Sequence, residues 1–189
     1  MRIAQLNLFD LLSASRRLIA PARPAPPKRP TTARAKSSRR EGPMAQRYAH
    51  LTRELLAIHN VRVRKWRTSM SGVAWMIEYR DGTRSNLIEA PRPKGPMSAA
   101  VFCHEIGHHA IGLGAFTPRC LEEYHAWMWS LEAMRNYDIP VTQRVRERVH
   151  DSLHYAVQKA QRRGLKRLPD ELQPYRYPRE VRITIPCRP

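Results

Sequence analysis

Residues 104 to 108 of this 189-residue chain read His-Glu-Ile-Gly-His, and this string constrains the fold more than any other. Side chains four positions apart lie on one face of an α-helix, so the string brings the imidazoles of His104 and His108 together only if it is helical. Two imidazoles at this spacing are a frequent pair of Zn²⁺ ligands, and Glu105 lies one step round the helix. The string therefore predicts a helix that binds zinc.

The chemistry expected at such a helix is hydrolysis. Bound zinc lowers the pKa of a coordinated water towards about 7. Glu105 can accept the proton of that water, which leaves a hydroxide directed at a carbonyl carbon. We therefore predict that Glu105 is the catalytic base of a peptide-bond hydrolase. The alternative interpretation is a helix whose histidines are solvated or packed in the core without a metal.

A catalytic zinc site needs a third protein ligand, and the next predicted helix offers three candidates. They are Glu122, Glu123 and His125, of which we favour Glu123. On a helix, Glu123 lies on the side of Trp127, Ser130 and Met134, Glu122 on that of Ala126, Trp129 and Ala133, and His125 on that of Leu121 and Glu132. A glutamate that is not a ligand would complement the positive end of this helix.

The spacing of apolar residues predicts an α+β fold. Strand alternation and helical periodicity divide the chain from Met44 onward, with Asp81-Gly82 as a hairpin turn. The predicted helices cover 45–60, 99–113, 118–139 and 142–164, and the predicted strands cover 61–67, 73–79 and 84–89. We expect a small antiparallel sheet packed on helices, in one domain over residues 45–168.

Both ends of the chain have the composition of tails. Residues 1–44 contain ten Lys and Arg against Asp10 and Glu41, a net charge of +8, together with six of the sixteen prolines. Such a segment buries too little apolar surface to offset its ordering entropy, so we predict a disordered basic tail. Residues 169–189 are also rich in proline and are predicted to be a C-terminal tail.

The whole chain is strongly basic, with 34 Lys and Arg against 16 Asp and Glu and a net charge of +18. This charge predicts non-specific binding to nucleic acid through phosphate contacts, because no motif for reading base sequence accompanies it. The alternative is that the charge only keeps the protein soluble. The basic residues in question are Arg34, Lys36, Arg39 and Arg40 in the tail, and Arg144, Arg146, Arg148, Lys159, Arg162, Arg163, Lys166 and Arg167 on the last helix and its exit.

Cysteine usage and hydropathy indicate the compartment. The three cysteines, Cys103, Cys120 and Cys187, are an odd number without Cys-x-x-Cys spacing, which favours a reducing environment. No run of 18 uncharged apolar residues is present, so no membrane contact is predicted. We expect a cytoplasmic protein.

The string at 104–108, followed by Glu123-Tyr124-His125-Ala126-Trp127, resembles the zinc metallopeptidases of the ImmA/IrrE type. The resemblance covers roughly residues 45 to 140 and implies a zincin-like metallopeptidase domain. It implies His104, His108 and Glu123 as zinc ligands. In zincins, an edge strand such as the one predicted from Gly72 to Tyr79 binds an extended peptide through its backbone.

A second resemblance lies in the N-terminal tail. Gln5-Leu6-Asn7-Leu8-Phe9 resembles the peptides by which bacterial replication and repair proteins bind the sliding clamp. A docking peptide on a disordered tail is free to become ordered on its partner. The alternative is an amphipathic segment that packs on the protein's own surface.

Several further side chains are weaker candidates. His150 and His154 repeat the spacing of four, but the surrounding arginines oppose a dication, so a solvated helix face is predicted. Cys103 and Cys120 are predicted to be buried free thiols. The candidates for stabilising a developing oxyanion are Tyr124, His125, His154 and Tyr155.

Two functional hypotheses follow from the sequence. The first is a zinc-dependent metalloendopeptidase from a bacterium or mobile element, which cleaves a DNA-associated protein such as a repressor. The second is a nucleic-acid-binding accessory protein with a structural or inactive zinc site. Glu105 favours the enzyme, because a structural zinc site does not need a carboxylate beside its histidines.

Overall fold

A computed structural model describes residues 42–180, which form four α-helices, a three-stranded sheet and a short 3₁₀-helix. The predicted basic tail up to residue 41, its docking peptide at 5–9 and the last residues from 181 lie outside the described part of the chain. The elements are α1 (Pro43–Ile58), β1 (Val61–Arg67), β2 (Val73–Glu78), β3 (Arg84–Pro91), α2 (Pro96–Ala110), α3 (Arg119–Asn136), α4 (Gln143–Arg162) and the 3₁₀-helix Asp170–Tyr175. The expected α+β class is confirmed.

The sheet is mixed, so the prediction of an antiparallel sheet is wrong. Its strand order is β1-β3-β2, with β3 antiparallel to β2 but parallel to β1. The residues Ile88 to Pro91 of β3 are all buried, which suits the centre of a sheet. The alternating arginines of β1 suit an edge, where charged side chains reach solvent.

Strand β2 occupies the other edge of the sheet. It pairs with β3 from Val73 opposite Glu89 to Glu78 opposite Arg84. The hairpin turn contains Gly82 at φ +81°, a left-handed conformation that glycine adopts without strain. Because β2 pairs only with β3 among the described strands, its second backbone edge is free of sheet pairing.

Helix α2 is the centre of the molecule, and every residue from Ser98 to His108 is buried. It begins at Pro96, earlier than predicted, because proline suits the first helical turn. Ser98 lies inside the helix, and its hydroxyl accepts hydrogen bonds from the backbone N–H groups of Lys94 and Gly95. Phe102 and Ile106 are fully buried in the core.

Helix α4 closes the core on one side. The Thr142 hydroxyl caps it by accepting from the N–H of Val145, and its buried stripe is Val145, Val149, Leu153 and Val157. Part of the segment predicted to be an irregular tail also packs here. Leu172 in the 3₁₀-helix is fully buried, and Leu168 just before this helix is also buried. The segment therefore packs on the domain through apolar side chains. None of the helices in the described range is long and apolar enough to cross a bilayer.

Candidate metal centre

Three side chains converge at the interface of α2 and α3. Nε2 of His104 lies 3.3 Å from Nε2 of His108, and Oε2 of Glu123 lies 3.3 Å from the first and 3.6 Å from the second. All three donor atoms fall within 4.8 Å of one another. Within the described part of the chain, these three residues form the group of His, Cys, Asp or Glu side chains that could hold a metal ion.

The separations can be tested against coordination geometry. A tetrahedral cation with bonds of about 2.0–2.2 Å places its ligand atoms about 3.3–3.6 Å apart. The three observed separations fall in that range, and the donor set of two imidazoles and one carboxylate is one that binds divalent metals. The residues present therefore fit a small divalent cation with one coordination position left for another ligand.

Close packing of two helices brings the donors together. A Cβ atom added to Gly107 would lie 2.8 Å from the backbone oxygen of Ala126, so a side chain there would push α2 and α3 apart. The hydroxyl of Ser130 also donates to the backbone oxygen of Ala100, at 2.8 Å across the same interface. A glycine in mid-helix costs about 1 kcal/mol relative to alanine, and here it permits the close approach that the donors need.

Glu122 contacts His108 from the side opposite Glu123. Nδ1 of His108 lies 3.1 Å from Oε1 of Glu122, whose other oxygen accepts a hydrogen bond of 3.0 Å from the N–H of Gly114. Glu122 is fully buried. A carboxylate on the second ring nitrogen fixes the orientation of a metal-binding imidazole and makes it more basic. The sequence offered Glu122 as an alternative ligand or as a charge that complements the helix end, and this supporting contact was not anticipated.

His104 is oriented by a ring contact. Its imidazole stacks on Trp127, with ring centroids 4.1 Å apart and planes inclined by 20°. Its Nδ1 atom is buried and has no hydrogen-bond partner among the described residues. Trp127 follows Glu123 by one helical turn, so α3 supplies both a donor atom and the surface that holds His104 in place.

Glu105 is buried beside the three donors but is not one of them. A Cβ atom added to Gly72, the residue before β2, would overlap the Cγ atom and carboxylate of Glu105, so a side chain there would force Glu105 to move from this position. Burial raises the pKa of Glu105 to about 8, partly offset by nearby positive charge. A carboxyl group with a pKa near neutrality is suited to accept and return a proton.

The pKa values of the two histidines are shifted in opposite directions. Burial and the charge of His108 lower the pKa of His104 to about 4, despite its contact with Glu123. Burial also opposes charge on His108, but the carboxylates of Glu122 and Glu123 outweigh burial and raise its pKa to about 10. Hydrogen bonds from both imidazoles keep the pKa of Glu123 well below its usual value, although burial acts in the other direction. The site therefore favours a positive charge next to the carboxylate of Glu123.

The centre opens into a cleft of about 730 Å³. The residues from Ser71 to Ala74, at the start of β2, line one wall, and α4 lines the other. His104, Glu105, His108 and Glu123 lie on its floor. The first residues of the edge strand β2 and the metal-binding side chains therefore line one cleft.

Most of the weaker candidates lie elsewhere. His125 stacks on Phe116, and Tyr124 packs near Tyr175, so neither belongs to the donor cluster or lines the cleft. His154 contacts the backbone oxygen of Tyr175 at 3.0 Å. Of the four residues suggested as oxyanion stabilisers, Tyr155 lines the cleft.

The two described cysteines are free. Cys103 is fully buried, and burial raises the pKa of its thiol. Cys120 is buried and lines the cleft, and burial also raises the pKa of this thiol. A raised pKa keeps a thiol protonated and makes it a poor nucleophile or metal ligand at neutral pH.

Comparisons of the chain with protein-family models, with curated proteins and with solved structures returned no match. The chemistry of the cleft and its metal-binding side chains is therefore the basis for a functional proposal.

Proposed function

We propose that this chain is a zinc-dependent metalloendopeptidase of the zincin type, with His104, His108 and Glu123 as ligands. The observation that carries the proposal is the position of Glu105, a buried carboxyl group beside three metal donors but outside their set. A structural zinc site normally has four protein ligands and no need of such a carboxylate. Resemblance of the 104–108 and 123–127 strings to the ImmA/IrrE peptidases supports the same proposal.

The proposed mechanism divides the work between ligands and base. Zinc would supply a Lewis acid and a water of lowered pKa when bound. Glu105 would accept the proton of the attacking water and return it to the leaving amine, since it lies buried beside the donors without being one of them. Glu122 and Trp127 would hold His108 and His104 in the orientation that binding requires. Gly72 would leave the space that Glu105 occupies.

The substrate would be an extended peptide. The first residues of β2, an edge strand, line the cleft, and an unpaired strand edge binds a peptide through backbone hydrogen bonds. Such binding tolerates many sequences, since the backbone carries most of the contacts. It also presents a carbonyl group to the floor of the cleft, where the metal donors and Glu105 lie.

A DNA-associated protein is the substrate class that we propose. Arg144, Arg146 and Arg162 are exposed on α4, and Lys166 and Arg167 follow it, so several cations are free to contact phosphates. This charge would place the enzyme on DNA in the cytoplasm, next to proteins bound there, with the 5–9 segment as a candidate contact to the sliding clamp. The same charge supports the alternative, a nucleic-acid-binding accessory protein with a structural or inactive zinc site.

One substitution separates these functions. Glu105→Gln should retain one zinc per chain yet reduce cleavage of unfolded casein and of DNA-binding proteins by at least about 100-fold, because the base is lost and the ligands remain. Zinc content is measured by elemental analysis and cleavage by gel electrophoresis. Glu132→Gln, at an exposed glutamate of α3, is the control and should cleave normally. Undiminished proteolysis in Glu105→Gln would refute the mechanism, and absence of cleavage by the zinc-loaded parent protein would favour the accessory role.

A further inference from the structure

One face of α4 forms a continuous wall of the cleft. Arg148, Ser152, Tyr155, Lys159 and Arg163 follow at intervals of three or four residues, so they lie on one side of the helix, and all of them line the cleft. The wall from Arg148 to Arg163 is about 22 Å long at 1.5 Å per residue. The beginning of β2 lines the same cleft.

The positive charges on this wall lack carboxylate partners. The acidic groups in the cleft are Glu105, Glu123 and Asp151. Glu123 lies 3.3 Å from Nε of Arg119, and Asp151 lies 2.9 Å from Nε of Arg179. The three cations of the wall make no ion pair with any acid in the described part of the chain; they are Arg148, Lys159 and Arg163.

Arg148 has a buried hydrogen-bond donor without a partner among the described residues. Its guanidinium donates to the backbone oxygen of Met70 at 3.2 Å, which holds the side chain near the start of β2. Its Nε atom is buried and has no partner among the described residues. Arg148 lines the cleft together with His104 and Glu105.

Two like charges occur at the far end of the wall. Burial and the neighbouring Arg163 lower the pKa of Lys159, while Glu123 acts on it in the opposite sense. Adjacent unpaired cations repel one another, and an anion bound between them relieves this repulsion. The cleft is therefore complementary to negative charge on both sides of Tyr155.

We propose that the cleft selects peptides with aspartate or glutamate side chains close to the bond to be cleaved, and that Arg148 and Lys159 contact those carboxylates. This inference rests on the peptidase function proposed above. A peptide fits better than a nucleic acid because the first residues of β2, an edge strand, line the same cleft, and an edge strand can pair with a peptide backbone. An extended peptide of about seven residues matches the length of the wall at about 3.3 Å per residue.

The test measures peptide binding, so that it does not depend on turnover. Three fluorescent heptapeptides that differ only in carrying three Glu, three Gln or three Lys are titrated against zinc-loaded Glu105→Gln protein. The acidic peptide should bind about tenfold more tightly than the Gln peptide at low salt, and the difference should shrink as salt screens the charges. Equal affinities for the three peptides would overturn the inference.

Charge reversal provides a matched pair of variants. Lys159→Glu in the same background should weaken binding of the acidic peptide and strengthen binding of the Lys peptide, a swap that misfolding cannot produce. Arg162→Glu makes the same change of charge on an exposed residue of α4 that does not line the cleft, and it should leave the preference for acid unchanged. Equal effects of the two variants would mean that only the overall charge matters and would overturn the inference.

Failure of this inference can be told apart from failure of the peptidase proposal. Cleavage of all three peptides by the zinc-loaded parent protein at equal rates would overturn acid selection and leave the peptidase function standing. Lack of any cleavage, together with the acid preference and the charge swap, would support the acid-binding cleft and remove the peptidase function. Displacement of the acidic peptide by DNA, with DNA binding but not peptide preference altered in Lys159→Glu, would show a nucleic-acid site and overturn the inference.

Discussion

The Nδ1 atom of His108 lies 3.1 Å from Oε1 of Glu122, within the buried interface of α2 and α3. The opposite ring nitrogen of His108 faces His104 and Glu123. A single imidazole thus connects a metal donor cluster to a fully buried carboxylate, which is itself held by the N–H of Gly114. This connection makes Glu122 a positioning residue with a measurable effect on the metal.

Glu122→Gln should weaken zinc affinity by about 10- to 100-fold, the usual effect of losing a carboxylate that orients a metal-binding imidazole. The amide preserves the volume of the side chain, so the core should remain packed. Competition with a chromophoric chelator measures the affinity. Glu132→Gln on the exposed side of α3 should show no loss. An unchanged affinity in Glu122→Gln would mean that helix packing alone orients His108.

Glu123→Ala should lower zinc occupancy far more than His125→Ala does. Glu123 contributes one of the three converging donor atoms, whereas His125 stacks on Phe116 away from them. Elemental analysis of the purified variants after dialysis against limiting zinc measures the difference. Circular dichroism checks that both remain folded. Equal zinc content in the two variants would exclude Glu123 as a ligand.

Gly72→Ala should reduce peptide hydrolysis by about 100-fold while zinc remains bound, since a displacement of about 1 Å of a catalytic group can have that effect. The added methyl group would overlap the side chain of Glu105, which is not one of the three donors. Turnover and zinc content are measured on the same sample. Gly42→Ala is the control, because a Cβ atom there meets nothing within 4 Å. Normal turnover in Gly72→Ala would show that Glu105 need not hold its observed position.

In the metal-free protein, Glu105 should contribute a loss of stability as pH rises from about 4.5 to 8, which the lowered pKa of His104 opposes at the acidic end of this range. Burial raises the pKa of Glu105 from 4.5 to about 8, so over this range the folded protein keeps a proton that the unfolded chain releases. Stability then falls by up to about 1.4 kcal/mol per pH unit from this group. Urea unfolding in the presence of a chelator measures this slope. Glu105→Gln should remove this contribution, so that its slope is more positive than that of the parent protein, while Glu78→Gln at an exposed strand position should not change the slope.

Deletion of residues 1–41 should leave zinc binding intact but weaken binding to duplex DNA. The deletion removes a net charge of +8. For every phosphate that the shortened protein no longer neutralises, the slope of log K against log salt should fall by about 0.9. Fluorescence anisotropy over a range of salt concentrations measures that slope. Unchanged affinity would show that the cations of α4 and its exit are sufficient.

Local periodicity let the sequence alone determine a large part of this protein. The spacing of four between His104 and His108 is a property of a single helix, and it required no knowledge of the rest of the fold. The three strands, the Asp81-Gly82 turn and the α+β class follow from patterns of similar range. A close approach of another group to Gly107 could also be expected from the sequence. Glycine is unfavourable in the middle of a helix, and it is found there where a neighbouring group leaves no room for a side chain.

The tertiary structure determined the strand order and the contacts between elements, which the periodicity of a single element does not encode. The mixed strand order depends on β3 being the most buried strand, which only packing against α2 reveals. Contact between Glu122 and His108, and between Gly72 and Glu105, joins residues on different elements. The cations of α4 line the cleft because burial of the adjacent stripe, Val145, Val149, Leu153 and Val157, fixes the rotation of that helix. Sequence pattern sets which side of an element is apolar, whereas the packing of those apolar sides determines which polar sides meet.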